Sequence, residues 1–387
     1  MVIFLNFRQK LGLLKHYGSH KLFHNDLPKI SNLYAKQMGN STKDAATMIS
    51  EHANRLEISI PRWPSSLNFS YVWLRDHCRC DACFRKDTFQ RQNDILSLPL
   101  KIRPTYLSHN EKELHIQWPD GHFSKFDFQF LWENSFEGKK HSKNIIKPLT
   151  WNRNSFPSFD QIKVPPTVEA TRETVEVICP ISKTIYGEMW ELQADLGMSD
   201  TAYTDEYLGS HTDTTYFSEP SRIQVFHCLK QASEGGESLY VDGFHIGEKL
   251  YNEDPACYEY LSTTALPGEY RKDGHHFVNV YRIFTHHPVS KKLMQFRCND
   301  FDRAPLSTIP YHEVDKFYMN FQKLVKMLRD QRNEVEILLQ PGQVAFIDNW
   351  RVTHGRKSFR GTRVLGGCYL GNSDFLSKAR VHGLKFE

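Results

Sequence analysis

Three stretches of the chain are apolar or alternating in the manner of β-strands, and they lie far apart in the sequence. Arg222-Ile-Gln-Val-Phe-His-Cys-Leu229, Val344-Ala-Phe-Ile-Asp348 and Thr362-Arg-Val-Leu-Gly-Gly-Cys-Tyr369 are short, rich in β-branched and aromatic residues, and the second follows a Pro341-Gly342 turn. Runs of this length suit strands buried in a packed scaffold. Ser238, after Gly235-Gly236-Glu237, opens a further predicted strand. One helix stands out over Tyr311–Arg332, where Val314, Phe317, Phe321, Leu324, Val325 and Leu328 recur at helical spacing. Residues 52–136 read as short strands that close with Lys112-Glu-Leu-His-Ile-Gln-Trp118 and Phe123-Ser-Lys-Phe126. Residues 137–165 are polar, Lys-rich and punctuated by Pro, which predicts a linker.

This order predicts a mainly β protein with helices. A small N-terminal β domain over 52–136 precedes a jelly-roll, or double-stranded β-helix, over 166–387, a scaffold that can carry ligands at its mouth. No internal repeat or low-complexity segment interrupts it.

Composition sets bounds. At 387 residues and 40% hydrophobic content the chain can bury two cores. The net charge of +4 is mild and dispersed, so no nucleic-acid partner is expected. No run of 18 apolar residues predicts a membrane span. The first 43 residues differ from the rest: seven Lys or Arg stand against one acid, Asp26. Basic, acid-poor sequence of this kind predicts a mitochondrial transit peptide over 1–43, with a disordered basic tail as the alternative.

The candidate chemistry lies in Ser210-His211-Thr212-Asp213 and in Asn349-Trp350-Arg351-Val352-Thr353-His354-Gly355-Arg356. A His-x-Asp pair and one distant His can occupy one face of an octahedral ion and leave three positions open, the ligand set of non-haem Fe(II) oxygenases. With 19 His and 45 acids in the chain, the pair alone arises by chance, but both halves flank strand-like runs. His211, Asp213 and His354 are therefore the predicted catalytic metal ligands. Arg363 follows His354 by nine residues on the last predicted strand. A guanidinium is a planar fork that matches a carboxylate, so an inward Arg363 suits an anchor for the distal carboxylate of 2-oxoglutarate, with Ser238 as a hydroxyl donor. An edge-strand surface charge and a strand-opening Ser are the plainer alternatives.

A second cluster, Cys78-Arg79-Cys80-Asp81-Ala82-Cys83, is joined by His122 in Trp118-Pro-Asp-Gly-His122. Three sulfurs and one nitrogen make a closed tetrahedral zinc set. Free thiols compete with this reading, and His77 is a rival fourth ligand.

Taken together, Thr201-Ala-Tyr-Thr204, His211-Thr-Asp-Thr-Thr-Tyr-Phe217, Gln224-Val-Phe-His-Cys-Leu-Lys230, Val241-Asp-Gly-Phe244 and Phe346 through Arg356 resemble the trimethyllysine/γ-butyrobetaine dioxygenase family. The likeness runs from about residue 68 to the end of the sequence. It implies Fe(II), 2-oxoglutarate, O2 and ascorbate, with oxidative decarboxylation of 2-oxoglutarate to succinate and CO2 coupled to hydrogen abstraction from a substrate C–H. It implies the small molecule trimethyllysine as substrate, the first hydroxylation of carnitine biosynthesis, a mitochondrial matrix location, a homodimer, and a zinc-binding N-terminal domain. A quaternary ammonium cannot donate a hydrogen bond, so aromatic faces hold it. The family positions for such a cage fall on Tyr186, Trp190, Tyr203 and Tyr369. Asp200 falls where an acid would meet the α-ammonium of trimethyllysine, and Asn299 where the family contacts the substrate carboxylate; a turn residue is the alternative for Asn299.

One departure counts against activity. About thirty family residues, which supply a long helix and a core strand, are absent before Val164. A missing inner strand would leave unpaired backbone and an apolar gap. γ-Butyrobetaine hydroxylation, or an inactive splice form acting as a scaffold for full-length subunits, are the alternatives that remain.

Overall fold

The computed structural model describes residues 47–92, 94–140, 149–156, 164–193, 204–272 and 274–384. The predicted transit-peptide segment, Asp200, Tyr203 and much of the predicted linker lie outside them. The described residues fall into two compact units.

In the N-terminal unit, β1 (Met48–Glu51), β2 (Arg55–Ser59) and β3 (Leu67–Ser70) form one antiparallel sheet. Leu56 and Ile58 are buried while their neighbours Arg55 and Ser59 face solvent, the alternation of a strand with one covered face. Helix α1 (Tyr71–Asp76) starts where the Ser70 hydroxyl accepts the Trp73 amide. A hairpin of β4 (Phe84–Arg85) and β5 (Gln90–Arg91) follows, then a second sheet of β6 (Tyr106–His109), β7 (Glu113–Gln117) and β8 (Phe123–Asp127). The Asp127 carboxylate caps α2 (Phe128–Asn134), and α3 (Phe136–Lys140) closes the unit. Leu56, Leu67, Leu114, Ile116, Trp118, Phe126 and Leu131 pack into its core.

The larger unit begins with α4 (Val168–Glu176), capped by Thr167, and β9 (Trp190–Gln193). After these come β10 (Leu208–His211), β11 (Ile223–Lys230), β12 (Glu234–Gly235), β13 (Ser238–Asp242), α5 (Gly243–Glu253), α6 (Pro255–Thr263) and the hairpin β14 (Leu266–Lys272) with β15 (His275–Tyr281). The chain continues through β16 (Phe284–His286), β17 (Leu293–Phe296), α7 (Val314–Leu328), β18 (Val335–Ile337), β19 (Val344–Asp348), β20 (Val352–Arg356), β21 (Phe359–Arg360), β22 (Val364–Leu370) and α8 (Asn372–Val381).

Two four-stranded antiparallel sheets make the jelly-roll core, in the orders β10-β20-β13-β18 and β19-β11-β22-β9. Phe226, Tyr240, Ile347, Val352 and Leu365 fill the space between them. On the outer face of the second sheet, Val225, Phe346 and Cys368 pack with Val175 and Phe375. Helix α7 buries Phe317, Phe321 and Leu324 in a separate cluster with α5 and α6 residues. It ends at Leu328 rather than at Arg332, because the Asp330 carboxylate takes the Arg332 amide and turns the chain.

β11, β13, β20 and β22 each have a strand on both sides, and the free edges among the described residues are β9, β10, β18 and β19. The segment entering α4 runs beside the turn before β19, where the Val164 amide donates to the Gly342 carbonyl at 2.8 Å.

Candidate active site

β10 and β20 bring the two histidines together by register, since His211 lies directly opposite His354. Their ring centroids are 4.7 Å apart. Asp213 follows two residues later, and its Oδ1 lies 3.3 Å from His211 Nε2 and 3.6 Å from His354 Nε2. One donor atom from each of the three lies within 4.8 Å of the others. All three side chains converge through Nε2, Nε2 and one carboxylate oxygen, so the set fits a facially bound ion.

The surroundings fix this presentation. His211 Nδ1 is 2.8 Å from the Gly209 carbonyl, which accepts its proton and leaves Nε2 as the free lone pair. The Asp213 amide donates to Asn349 Oδ1 at 2.8 Å, and Asn349 Nδ2 returns bonds to the Asp213 and Ser221 carbonyls. Asp213 Oδ2 accepts from the Tyr369 hydroxyl at 2.7 Å and from Gln224 Nε2. Burial pushes the Asp213 carboxyl up, but the facing imidazoles of His354 and His211 outweigh it and hold the group well below the usual carboxylate range. Burial pushes His354 down to about 4 against the pull of Asp213.

Thr214, at φ +58°, turns the chain sharply after Asp213. The loop is then pinned from below: Arg297 donates to the Thr215 and Phe217 carbonyls, and Asn279 Nδ2 donates to the same pair. Just before β20, Arg351 makes a two-nitrogen pair with the fully buried Asp242 carboxylate, which also accepts the Trp151 and Phe244 amides. With every oxygen lone pair so engaged, this buried ion pair anchors the strand that carries His354.

The triad opens into a cavity of about 410 Å³. Arg363, Leu365 and Tyr369 line it together, as positions two apart along one extended segment must. Over those six residues the strand travels ~20 Å, which separates Arg363 from Tyr369. The Arg363 guanidinium is buried, lies 5.7 Å over the Phe359 ring, and has no carboxylate within salt-bridge range among the described residues. Burial lowers its pKa. Ser238 is buried and lines the same cavity, as does Arg356. A buried cation with no counter-ion among the described residues fits the carboxylate of an incoming dianion.

The other wall is aromatic. Tyr369 lies 5.8 Å from Trp190 and 6.2 Å from Tyr186 between centroids. Gly367 pairs with Trp190 across the strands, and a Cβ there would meet the indole at 2.1 Å, so only glycine lets the ring lie flat against β22. Tyr216 and Tyr270, stacked at 4.9 Å, extend the wall, and the Tyr186 and Tyr216 hydroxyls are 2.6 Å apart. Burial pushes the hydroxyl pKa of Tyr186, Tyr216 and Tyr369 far up, so these rings present neutral faces. Asn299 lines the cavity, but its Oδ1 accepts the Phe301 and Asp302 amides and its Nδ2 donates to the Asp302 carboxylate, so its amide also serves the turn reading.

In the N-terminal unit, His122 Nε2 lies 3.3 Å, 3.7 Å and 3.5 Å from the sulfurs of Cys78, Cys80 and Cys83. His77 is not part of this group; it stacks on Trp73 at 4.0 Å with Nδ1 on the Trp73 carbonyl. Arg75 bridges the Cys83 sulfur and Asp120, whose carboxylate accepts the His122 amide. Four donors within 4.8 Å of one another match a closed tetrahedral site.

Gln224, Asn349, Tyr216 and Tyr270 carried no predicted role. Gln224 left a trace in the sequence, as one of two polar residues, with His227, in the otherwise apolar run Ile223–Cys228.

A two-sheet β core with two imidazoles and one carboxylate at the mouth of a cavity is the construction of a non-haem iron oxygenase. Residues 156–369 match the family model for "Taurine catabolism dioxygenase TauD, TfdA family", and residues 49–132 match "Gamma-butyrobetaine hydroxylase-like, N-terminal". The chain is 39% identical over 370 residues to the mitochondrial trimethyllysine dioxygenase of Bos taurus, covering 87% of each protein. It is 40% identical over 369 residues to that of Mus musculus, covering 86% of this chain and 87% of that one. Trimethyllysine dioxygenase of Neurospora crassa is 30% identical over 375 residues, covering 80% and 79%. The chain belongs to the trimethyllysine dioxygenase branch of the TauD/TfdA family.

Proposed function

We propose that this protein hydroxylates N6,N6,N6-trimethyllysine to 3-hydroxytrimethyllysine, using Fe(II), O2 and 2-oxoglutarate. The observation that carries the reading is one cavity containing a facial His-Asp-His set, a buried guanidinium without a counter-ion among the described residues and a wall of neutral aromatic rings. Bound iron supplies O2 activation at the expense of 2-oxoglutarate, which leaves as succinate and CO2. His211, Asp213 and His354 hold the ion, and their shared face leaves three positions for cosubstrate and oxygen. Arg363 grips the distal carboxylate of 2-oxoglutarate and Ser238 donates to it. Tyr186, Trp190 and Tyr369, with Tyr216 and Tyr270, hold the trimethylammonium by cation–π attraction, about 0.5–2 kcal/mol per good face. Asp200 and Asn299 are assigned to the amino-acid end, and Tyr203 to the cage, on the family positions.

Cys78, Cys80, Cys83 and His122 hold a structural zinc that stabilises the N-terminal unit. A mitochondrial location agrees with the names of the animal relatives and with the basic, acid-poor residues 1–43, and the matrix is assigned on the family pattern. A homodimer follows the family pattern.

The test is succinate release by the purified chain with Fe(II), ascorbate and 2-oxoglutarate, comparing trimethyllysine with γ-butyrobetaine. Trimethyllysine is expected to drive turnover and γ-butyrobetaine to do so weakly. Preference for γ-butyrobetaine would overturn the substrate assignment, and no turnover with either would mark the chain as an inactive form.

A further inference from the structure

Tyr369 belongs to two parts of the site at once. Its ring stands in the aromatic wall between Trp190 and Tyr186, while its hydroxyl donates to Asp213 Oδ2 at 2.7 Å. Gln224, its cross-strand partner on β11, places Nε2 on the same oxygen. A carboxylate only accepts, so the amide nitrogen must be the atom that faces it. Gln224 Oε1 is buried without a partner, so the side chain's polar contribution here is made by its nitrogen. The other oxygen, Oδ1, is the one turned to both histidines.

We infer that Tyr369, assisted by Gln224, is the positioning residue that holds Asp213 to one-oxygen coordination, and that the cation wall and the iron ligand are thereby joined through a single side chain. This rests on Asp213 being an iron ligand. A carboxylate with both oxygens free can close on a metal with two, and a facial site has three positions to spare. A bound keto acid would need two of them and O2 one. Two hydrogen bonds on Oδ2 would withhold that oxygen from the ion and leave the third position open. Partners of metal-bound side chains are commonly worth 10–100-fold in metal affinity.

The variants Tyr369→Phe and Gln224→Met separate this role from cage membership, because Phe keeps a ring for the cation and Met keeps the volume of Gln. The probe is Co(II), titrated anaerobically into metal-free protein and followed by its visible d–d absorption. Both variants are expected to change the Co(II) d–d spectrum, as a second carboxylate oxygen takes the place of a solvent ligand, and to alter Kd by about 10-fold or more. In turnover, Tyr369→Phe should lower kcat about 10-fold or more while the KM for trimethyllysine stays within about twofold, since the cation–π face survives. A Co(II) spectrum and Kd identical to the parent in both variants would overturn the inference. If Tyr369→Phe fails to fold, Gln224→Met decides the matter alone. If parent Co(II) binding is itself unaffected by His211→Ala, the triad assignment fails, and the inference with it.

Discussion

His211 and His354 are a register pair in the β10–β20 ladder, so a metal held by both clasps two neighbouring strands rather than decorating one. An ion bound only by the folded chain stabilises it by mass action. Added Fe(II) or Co(II) is therefore expected to raise the melting temperature of the larger unit. Asp213→Ala or His211→Ala should abolish both that rise and 2-oxoglutarate decarboxylation, with zinc content unchanged on metal analysis. Iron-dependent decarboxylation retained by either variant would sink the assignment.

Arg363 gives a prediction in which function and stability part company. Its charge is buried with no carboxylate in salt-bridge range among the described residues, an arrangement that costs free energy until an anion arrives. Arg363→Met should raise the KM for 2-oxoglutarate at least about 10-fold, the scale of a lost charge-assisted hydrogen-bond pair. Without 2-oxoglutarate its melting temperature should equal or exceed that of the parent. A clear loss of stability in the variant would mean that Arg363 serves the fold instead.

The Cys78–Cys80–Cys83–His122 group should bind about one zinc per chain and release it with unfolding of the N-terminal unit. Cys80→Ser is expected to lower the melting temperature of that unit more than it changes KM for either substrate. Purified protein that holds no zinc and melts normally would reduce the cluster to a set of thiols.

His227 predicts an acid limb in stability that does not involve either metal site. It is fully buried on β11, with Nδ1 2.7 Å from the Thr171 hydroxyl of α4, and Nε2 has no partner among the described residues. Burial lowers its pKa below 6.5. The unfolded chain therefore takes up a proton below pH 6.5 that the folded chain refuses, so this contribution is present above pH 6.5 and is lost as pH falls toward the folded pKa. His227→Asn should flatten the dependence of the denaturant midpoint on pH in that range. An unchanged slope would exclude His227 as the source.

What was legible in the sequence is what is written locally. The strands at Ile223–Lys230, Val344–Asp348 and Val364–Leu370, the zinc-type spacing and the His211, Asp213, His354 motif all announce themselves within a few residues. Sheet order does not, because β11 pairs with strands more than a hundred residues away and no local pattern encodes which. For the same reason the sequence does not say which sheet edge the residues missing before Val164 would join; among the described residues the free edges are β9, β10, β18 and β19. Tyr186, Trp190 and Tyr369 were found through resemblance, but Tyr216 and Tyr270 become neighbours only when the β14–β15 hairpin folds over the loop after Asp213, a contact between segments that are each unremarkable as sequence. Asn299 shows the converse: its turn role is local and was foreseen as the alternative, while its place in the cavity is not.

The distribution of the walls carries an evolutionary corollary. Tyr186 and Tyr216 sit on connecting segments and Tyr270 on a protruding hairpin, whereas the triad and Arg363 belong to or adjoin the paired strands of the core. Descendants of such a scaffold can trade one substrate for another by rewriting loops, with the oxygen chemistry left intact. Trp190 on β9 and Tyr369 on β22 are the exceptions, and of these Tyr369 alone answers to both walls. At that ring a change of diet would also be a change of engine.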